Sequence, residues 1–156
     1  MRTRTTVFLA LCALTIALLG LSAAVVAQDK LKLTSGKTVH GDIVSIEGGD
    51  VELVTADCRL VTITGEQVAE VKRGTQLKGP VKVRLKEIDA RDPKELIKVA
   101  EWAWTARGMR KDAKRLFKRV VAFDRANTVA RERLGHVRAL GEWYADAKEA
   151  YLAVRE

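Results

Sequence analysis

The sequence is poor in the residues from which catalytic and metal sites are usually built. It has two histidines, two cysteines and 5% aromatic residues in 156 positions. His40 has no second metal ligand at useful spacing and is expected on the surface or in a turn, and His136 on the surface of a helix. No glycine-rich phosphate loop, Cys/His cluster or Ser/His/Asp arrangement is present. We therefore expect no catalytic residue, no metal and no cofactor.

Cysteine is also too scarce to hold the fold together by disulfides. Cys12 lies in a segment that we expect to be removed, which leaves Cys58 without an internal partner. Cys58 then has two interpretations. It pairs between two chains, or, more simply, it is a partly buried apolar residue at a strand end or in a turn.

The first 27 residues have the pattern of a secretory signal peptide. Arg2 and Arg4 precede an apolar run at residues 7–21, and the tripeptide ending at Ala27 supplies small residues before a cleavage point. The run is shorter than the ~20 residues that a membrane span prefers. We therefore expect cleavage before Gln28, with a retained membrane anchor as the alternative. This predicts an exported protein, periplasmic or extracellular.

Residues 28–75 are predicted to form a small β domain. Apolar and polar residues alternate, and the turn signals Ser35-Gly36-Lys37 and Gly48-Gly49-Asp50 divide the stretch into short strands. Gly41 lies inside the second strand, where an isolated glycine predicts a bulge or a sharp bend. Five short strands in about 45 residues suit a bent antiparallel sheet that closes on itself.

Residues 31–44, LKLTSGKTVHGDIV, have a strand, a turn and a bent second strand. This pattern resembles the SH3-like or Sm-like small barrels. For the Sm family the resemblance implies an RNA-binding ring. Residues 29–77, however, carry eight acidic and six basic side chains, and export separates the protein from most RNA. Nucleic acid is therefore not an expected partner.

Residues 76–91 connect the two halves and allow two interpretations. Gly79-Pro80 breaks the chain, after which three apolar residues alternate with Lys82, Arg84 and Lys86. The alternation favours a sixth strand at the edge of the sheet, where basic side chains protect the edge. The alternative is an extended linker.

Residues 92–156 are predicted to form four helices arranged as two antiparallel pairs. Asp92 and Glu95 predict a capping box around Pro93, Asn127 caps the third helix, and Gly108 and Gly141 end the first and third helices. The second helix is expected near residues 110–123 and the fourth at residues 144–155. The predicted inward residues are Leu96, Ile97, Ala100, Ala103 and Trp104, then Ala113, Leu116, Phe117, Val120 and Val121, then Val129, Ala130, Leu134, Val137 and Leu140, and finally Ala147, Ala150, Tyr151 and Val154.

A shift of 34 residues places similar residues on one another in this half. The pairs are Ala113 with Ala147, Lys114 with Lys148, Phe117 with Tyr151 and Val120 with Val154, and Leu134-Gly135 adds a Leu-Gly pair. These residues resemble the tetratricopeptide repeat, a helix–turn–helix array. The resemblance implies an interaction surface without identifying the partner. Residues 102–109, 134–136 and 140–143 are also similar to exported proteins of planctomycete-type bacteria, which implies the same setting.

Two such repeats are fewer than the ~3 that bury a continuous core. The outer helices must therefore be covered by the barrel, by a second copy of the chain or by a partner. Trp102, Trp143 and Tyr144 are the candidate partner-binding residues, because other residues fill the seam between helices. For Trp102 the alternative is packing against the barrel or the connecting segment.

The basic charge is concentrated in the helical half. Residues 78–156 contain 20 lysines and arginines against 12 acidic residues, and the whole chain has a net charge of +8. One face of the second helix is predicted to carry Arg110, Lys111, Lys114, Arg115, Lys118 and Arg119. Such a face attracts anionic headgroups or acidic polymers. The alternative is an ordinary solvated helix face.

These patterns predict an α+β chain with a small antiparallel SH3-like β-barrel followed by two tetratricopeptide-like antiparallel helix pairs. The expected function is a non-catalytic exported interaction module that binds a protein or peptide partner through its helices, with self-association as a further possibility. The alternative is an envelope-associated protein that binds a polyanion or a membrane surface through the basic face. A polyanion binder loses affinity steeply as salt rises, which separates the two.

Overall fold

In the computed structural model, which describes residues 28–155, the first part of the chain forms one antiparallel sheet. Its strands are β1 (Asp29–Leu33), β2 (Thr38–Glu47), β3 (Asp50–Val54), β4 (Leu60–Ile63) and β5 (Val68–Lys72). They lie in the order β4-β3-β2-β1-β5, and a single 3₁₀ turn, Gly65–Gln67, joins β4 to β5. The five short strands expected in this segment are therefore confirmed. The signal-peptide prediction for residues 1–27 lies outside the described residues.

The hairpin between β2 and β3 turns where the two glycines predicted it. Gly48 and Gly49 have φ values of 59° and 94°, a left-handed conformation that side chains other than glycine adopt at a cost. Glu47 and Asp50 face each other at the ends of the two strands. Asp50 Oδ1 also accepts a hydrogen bond from the Gly65 N–H at 2.8 Å, which ties this hairpin to the start of the 3₁₀ turn.

β2 serves both halves of the sheet. Its first part pairs with β1, and its second part pairs with β3, with an irregular register between Ile43 and Ser45. The expected bulge or bend in this strand is thus present. Gly41 lies at the change of partner, where a Cβ would come within 2.5 Å of the Leu53 side chain. A glycine is required there because the backbone of β2 approaches β3 so closely.

The segment between the two halves forms a helix, α1 (Gly79–Lys86), so its interpretation as an edge strand is wrong. Pro80 lies in the first turn, where its missing N–H costs no helical hydrogen bond. Val81 is fully buried and Leu85 packs against the same core one turn later, whereas Val83 is 58% exposed. A spacing of four residues places the first two on one helix face, and that face packs against the next helix.

The helical core lies between α2 (Pro93–Thr105) and α3 (Arg110–Phe123). All five inward residues predicted for the second helix are buried, and so are Leu96, Ala100 and Ala103 of the first. Ile97 and Trp104 are partly buried against this core. Alanines on both helices leave room for a close approach of the two backbones.

The N-caps predicted for the first and third helices are present, whereas the capping box and the two predicted glycine ends are not as predicted. Asp92 Oδ1 accepts from the Lys94 N–H at 2.8 Å, and Asn127 Oδ1 accepts from the Ala130 N–H at 3.0 Å. Glu95 pairs with Lys98 at 2.8 Å, so the expected capping box has only its Asp92 half. The C-cap of α2 is Ala106 and not Gly108, which lies in the turn that follows with φ of 75°.

The third helix is shorter than predicted, and a hairpin follows it. α4 (Thr128–Leu134) ends at Gly135, whose φ of 86° gives a left-handed C-cap. β6 (Val137–Ala139) and β7 (Glu142–Tyr144) form a two-stranded sheet around Gly141. The helical placement of Val137, Leu140 and His136 was therefore wrong, because the glycine cap already turns the chain.

The last helix, α5 (Ala147–Arg155), begins three residues later than predicted and packs on the hairpin. Ala150 is buried, but Ala147 is exposed, and Tyr151 and Val154 are 60% and 56% exposed. Their inward assignment was therefore wrong. The 34-residue shift pairs buried residues of α3 with exposed residues of α5. Within residues 28–155, no helix is both long enough and apolar enough to span a bilayer.

Candidate binding cleft between the sheet and the basic helix

The sheet docks on α3 through one carboxylate and two guanidinium groups. Asp42, the residue after Gly41 in β2, accepts from Arg115 Nε at 3.1 Å and from Arg119 Nε at 2.7 Å. Arg115 Nη2 donates to the same carboxylate. Arg119 Nη2 also donates to the Ile43 carbonyl at 3.2 Å. The bend in β2 thus presents both a side chain and a backbone carbonyl to the helix.

This network is largely out of water. The side chains of Asp42, Arg115 and Arg119 are 12%, 17% and 8% exposed. Buried charges are tolerated only when they are paired and hydrogen-bonded, and the planar arginine fork suits one carboxylate approached from two sides. The network therefore fixes how the sheet sits on α3, because any other placement would leave the Arg119 charge unpaired.

A second buried carboxylate holds the chain that leaves β5. Asp29 is 3% exposed and accepts from the Ile43 N–H at 3.0 Å and from the Gly74 N–H at 2.6 Å. The Thr75 carbonyl, next in the chain, accepts from Arg115 Nη1. Asp29 thereby positions residues 73–75 against the same helix that Asp42 contacts.

Between β2, the end of β3 and α3 lies a cleft of about 180 Å³. Its sheet wall is mostly apolar and is formed by Gly41, Val54 and Ala56. Its helix wall is formed by Lys111, Lys114 and Lys118, which recur at helical spacing and so share one face of α3. No carboxylate within residues 28–155 lies within salt-bridge distance of these three lysines. With Asp42 and Arg115 included, the charged lining has a net charge of +3.

A more open basic groove continues from this cleft around the turn between α2 and α3. It is lined by Arg107, Arg110 and Arg133 around Trp104, and Lys111 lines both depressions. The guanidinium carbons of Arg110 and Arg133 each lie 5.3 Å from the centre of a Trp104 ring. Cationic side chains on an indole face are held by its quadrupole, so this part of the surface is both basic and ordered.

The six residues predicted for the basic face of α3 have different roles. Lys111, Lys114 and Lys118 line the cleft, and Arg110 stacks on Trp104. Arg115 and Arg119 instead form the contact with Asp42. Their partner is more than 70 residues away in the sequence, so helical periodicity alone gave no signal for this pairing.

The three aromatic candidates lie away from the cleft. Trp102 is half-buried, and Arg84 of α1 lies 4.1 Å from its ring centre, which agrees with the alternative that it packs on the connecting segment. Trp143 and Tyr144 are half-buried in β7. Arg131 lies 5.5 Å from the Trp143 ring centre. The structure does not bring these three side chains together into one surface.

Cys58 is a buried turn residue, in line with the simpler of its two interpretations. It lies between β3 and β4 with φ of 60° and is 5% exposed, and its side chain joins the helical core. Burial raises the pKa of its thiol, which keeps it protonated at neutral pH. Its contact with the helices could not be predicted from the sequence, because the helical residues lie far from Cys58 in the chain and the residues next to Cys58 give no sign of them.

Within the described part of the chain, no group of three or more His, Cys, Asp or Glu side chains is placed to hold a metal ion. Comparison of the chain with protein-family models, with curated proteins and with solved structures gives no match. The protein can therefore be classified here only by its fold and by the geometry of its cleft. It is an α+β chain with a cationic cleft where a five-stranded sheet docks on a helix.

Proposed function

We propose that the protein is a non-catalytic interaction module that binds an acidic segment of a protein or peptide partner in the cleft between the sheet and α3. The observation that carries the proposal is the set of Lys111, Lys114 and Lys118, which face an apolar wall and have no carboxylate of residues 28–155 within salt-bridge distance. Unpaired cations at the rim of a docking surface attract oppositely charged partners and orient them.

The size and lining of the cleft favour a peptide segment over a small cofactor. Its volume of about 180 Å³ is below the roughly 300–1,000 Å³ typical of small-molecule sites. One or two side chains of a partner fit this space. Lysines place point charges on flexible stems and accept carboxylates in several orientations, whereas Val54 and Ala56 favour an adjacent apolar residue. The expected ligand therefore alternates acidic and small apolar residues.

We propose further that the sheet is an SH3-like small barrel and that α2 and α3 form a tetratricopeptide-like pair. The strand order, the long β2 that pairs to both sides and the 3₁₀ turn before β5 support the first. The alanine-lined contact of two helices joined by a short turn supports the second. In this proposal the β6–β7 hairpin occupies the place of a second helix pair. Export stays a proposal from the sequence, as does self-association.

A second function, binding of a polyanion or anionic membrane surface, is favoured by the continuity of the basic surface. Lys111 belongs both to the cleft and to the groove around Trp104, so basic side chains follow one another from Lys118 into that groove, where Arg133 is paired with Glu101 at 2.9 Å. A long, flexible polyanion can contact all the basic side chains of such a strip, whereas a short peptide can contact only some of them. In this alternative the apolar wall of the cleft has no role.

Fluorescence anisotropy with a labelled peptide of alternating glutamate and valine tests the first proposal. The same peptide with glutamine for glutamate is the ligand control. Lys114→Gln and Lys118→Gln should each weaken binding about two- to fivefold, the range for exposed charge pairs. Lys148→Gln, which removes an exposed lysine of α5 that does not line the cleft, is the matched control and should bind like the parent.

Equal losses for Lys114→Gln and Lys148→Gln, or equal binding of the glutamine peptide, would overturn the cleft proposal. Heparin binding by the same variants separates the alternative. The affinity for heparin should fall steeply between low and high salt. It should also fall as much on Arg107→Gln as on Lys114→Gln, because in this alternative every basic side chain along the strip contributes to binding.

A further inference from the structure

A second cavity lies under the C-terminal hairpin, where the β3–β4 turn, the end of α3 and β7 meet. Its volume is about 340 Å³, within the range of sites for small organic molecules. One part of its wall is apolar and contains Cys58, Val121 and Trp143. Another part carries Arg125, Arg131 and His136. It is separate from the lysine cleft, although Ala56 borders both.

The polar wall offers hydrogen-bond donors with a defined orientation. Arg131 Nε donates to the Arg125 carbonyl at 2.6 Å, and Arg131 Nη1 lies 3.3 Å from His136 Nδ1. Arginine can only donate, so His136 Nδ1 is the acceptor and the neutral ring carries its proton on Nε2. Burial and the Arg131 charge lower the pKa of His136, which favours this neutral form at pH 7. Arg131 Nη2 has no acceptor within residues 28–155, and His136 Nε2–H is a second donor.

The charge balance of the wall suits one negative charge. Asp57 and Arg59 pair with each other at 2.6 Å and cancel. Glu149 accepts from the Ala145 N–H at 2.8 Å and offsets one of the two remaining arginines. With His136 neutral, the lining has a net charge of +1. A monoanion neutralises this wall, whereas a second negative charge would face Glu149 or Asp57.

The apolar wall suits a compact hydrophobic body. Val121 and Cys58 are 1% and 5% exposed, and the protonated Cys58 thiol behaves as a small apolar group. Trp143 is half-buried in β7 and adds an indole surface whose position is held by Arg131. Aromatic rings stack or pack edge-on against such a surface.

We propose that this cavity binds a small monocarboxylate with a compact apolar or aromatic body, its carboxylate against Arg131 and His136 and its body against Trp143 and Val121. This site is independent of the peptide-binding proposal, since it uses none of the three cleft lysines. It joins a strand turn, the end of α3 and the hairpin, so an occupied cavity connects all three parts of the described chain.

Benzoate is the probe for this site. It is titrated into ¹⁵N-labelled protein while the tryptophan indole N–H resonances are recorded, and Trp143→Phe identifies the resonance of Trp143. Benzoate should shift that resonance in a saturable manner and leave those of Trp102 and Trp104 in place. Benzamide, which lacks the charge, should not shift it, and phthalate, a dianion, should bind more weakly than benzoate.

Two substitutions and one control complete the test. Arg131→Gln removes the principal donor and should weaken benzoate binding by about tenfold or more, as expected for a hydrogen bond to a charged group. Because Arg131 also holds the α4–hairpin connection, His136→Phe is the second variant, and it should weaken binding while thermal melting stays cooperative. Arg155→Gln removes an exposed arginine at the end of α5 that does not line the cavity and should bind like the parent.

Three results would overturn the proposal. They are an unmoved Trp143 resonance at saturating benzoate, an equal shift with benzamide, and equal losses for His136→Phe and Arg155→Gln. If Lys114→Gln removes the benzoate response and His136→Phe does not, benzoate binds in the lysine cleft, and the assignment to the second cavity is wrong.

Discussion

Asp42→Asn should be the most damaging single-atom change on the contact between the sheet and α3. The variant keeps the shape of the side chain but removes the charge that faces Arg115 and Arg119. Arg119 is 8% exposed, so its guanidinium would stay buried without a counter-charge. Breaking a buried ion pair from one side costs about 3–5 kcal/mol. Because the amide oxygen of asparagine still accepts one hydrogen bond, we expect about 3 kcal/mol.

In a domain of this size that loss lowers Tm by roughly 10 °C, since each kcal/mol shifts Tm by about 3–5 °C. Thermal melting followed by circular dichroism, with urea unfolding for the free energy, measures it. Glu95→Gln is the matched control, because its partner Lys98 is 71% exposed and the pair is screened by water. Its melting curve should overlay that of the parent.

A double variant tests the physical cause. Arg119→Met in the Asp42→Asn background removes the unpaired buried charge and keeps an apolar side chain of similar length. The double variant should therefore lose less stability than the two single variants together. Strict additivity, or an Asp42→Asn protein that melts with the parent, would refute the view that this network holds the sheet on α3.

Two further predictions follow from the structure, and a third follows from the sequence of residues 1–27. Ala113→Leu should destabilise by about 1–3 kcal/mol, because Ala113 is fully buried between α2 and α3. Ala147→Leu is its control at an exposed position, and equal melting temperatures for the two would contradict the helix contact. Burial and the nearby Arg131 charge lower the pKa of His136 in the folded chain. As the pH falls through the ordinary range of histidine, about 6.5, the unfolded chain therefore binds a proton at this residue before the folded chain does, so stability that is present above this pH is lost below it. His136→Gln should therefore flatten the fall of Tm on acidification from pH 7, and an unchanged slope would contradict this. N-terminal sequencing of protein from its native host should find Gln28 first, and a species that retains residues 1–27 would contradict cleavage.

Features that depend on local chemistry were predicted from the sequence. The Gly48-Gly49 pair determines the β2–β3 hairpin, because two consecutive left-handed residues are easiest for glycine. Asp92 and Asn127 determine two helix starts, because each side chain accepts from a backbone N–H two or three residues ahead. The buried face of α3 follows from the spacing of its apolar residues. Each of these signals acts within a few residues.

A stretch with two local solutions was decided by its neighbours. The segment from Val81 to Leu85 fits both a strand with alternating residues and a helix with one apolar face. Packing against α2 selected the helix, since it buries Val81 and leaves Val83 in water. The end of α4 is similar. The apolar spacing of a helix continues past Gly135. However, Gly135 ends α4 in a left-handed conformation, and Val137 lies in the first strand of the hairpin that follows.

The sequence by itself determined the five strands within residues 28–75, two helix starts and the basic composition of α3. Only the tertiary structure decided which of those basic residues are buried and which are free. Arg119 and Lys118 are adjacent and alike in the sequence, yet Arg119 meets Asp42 while Lys118 faces the cleft. Charge and periodicity describe a helix face, whereas pairing depends on which carboxylate the fold of a distant strand brings within hydrogen-bonding distance.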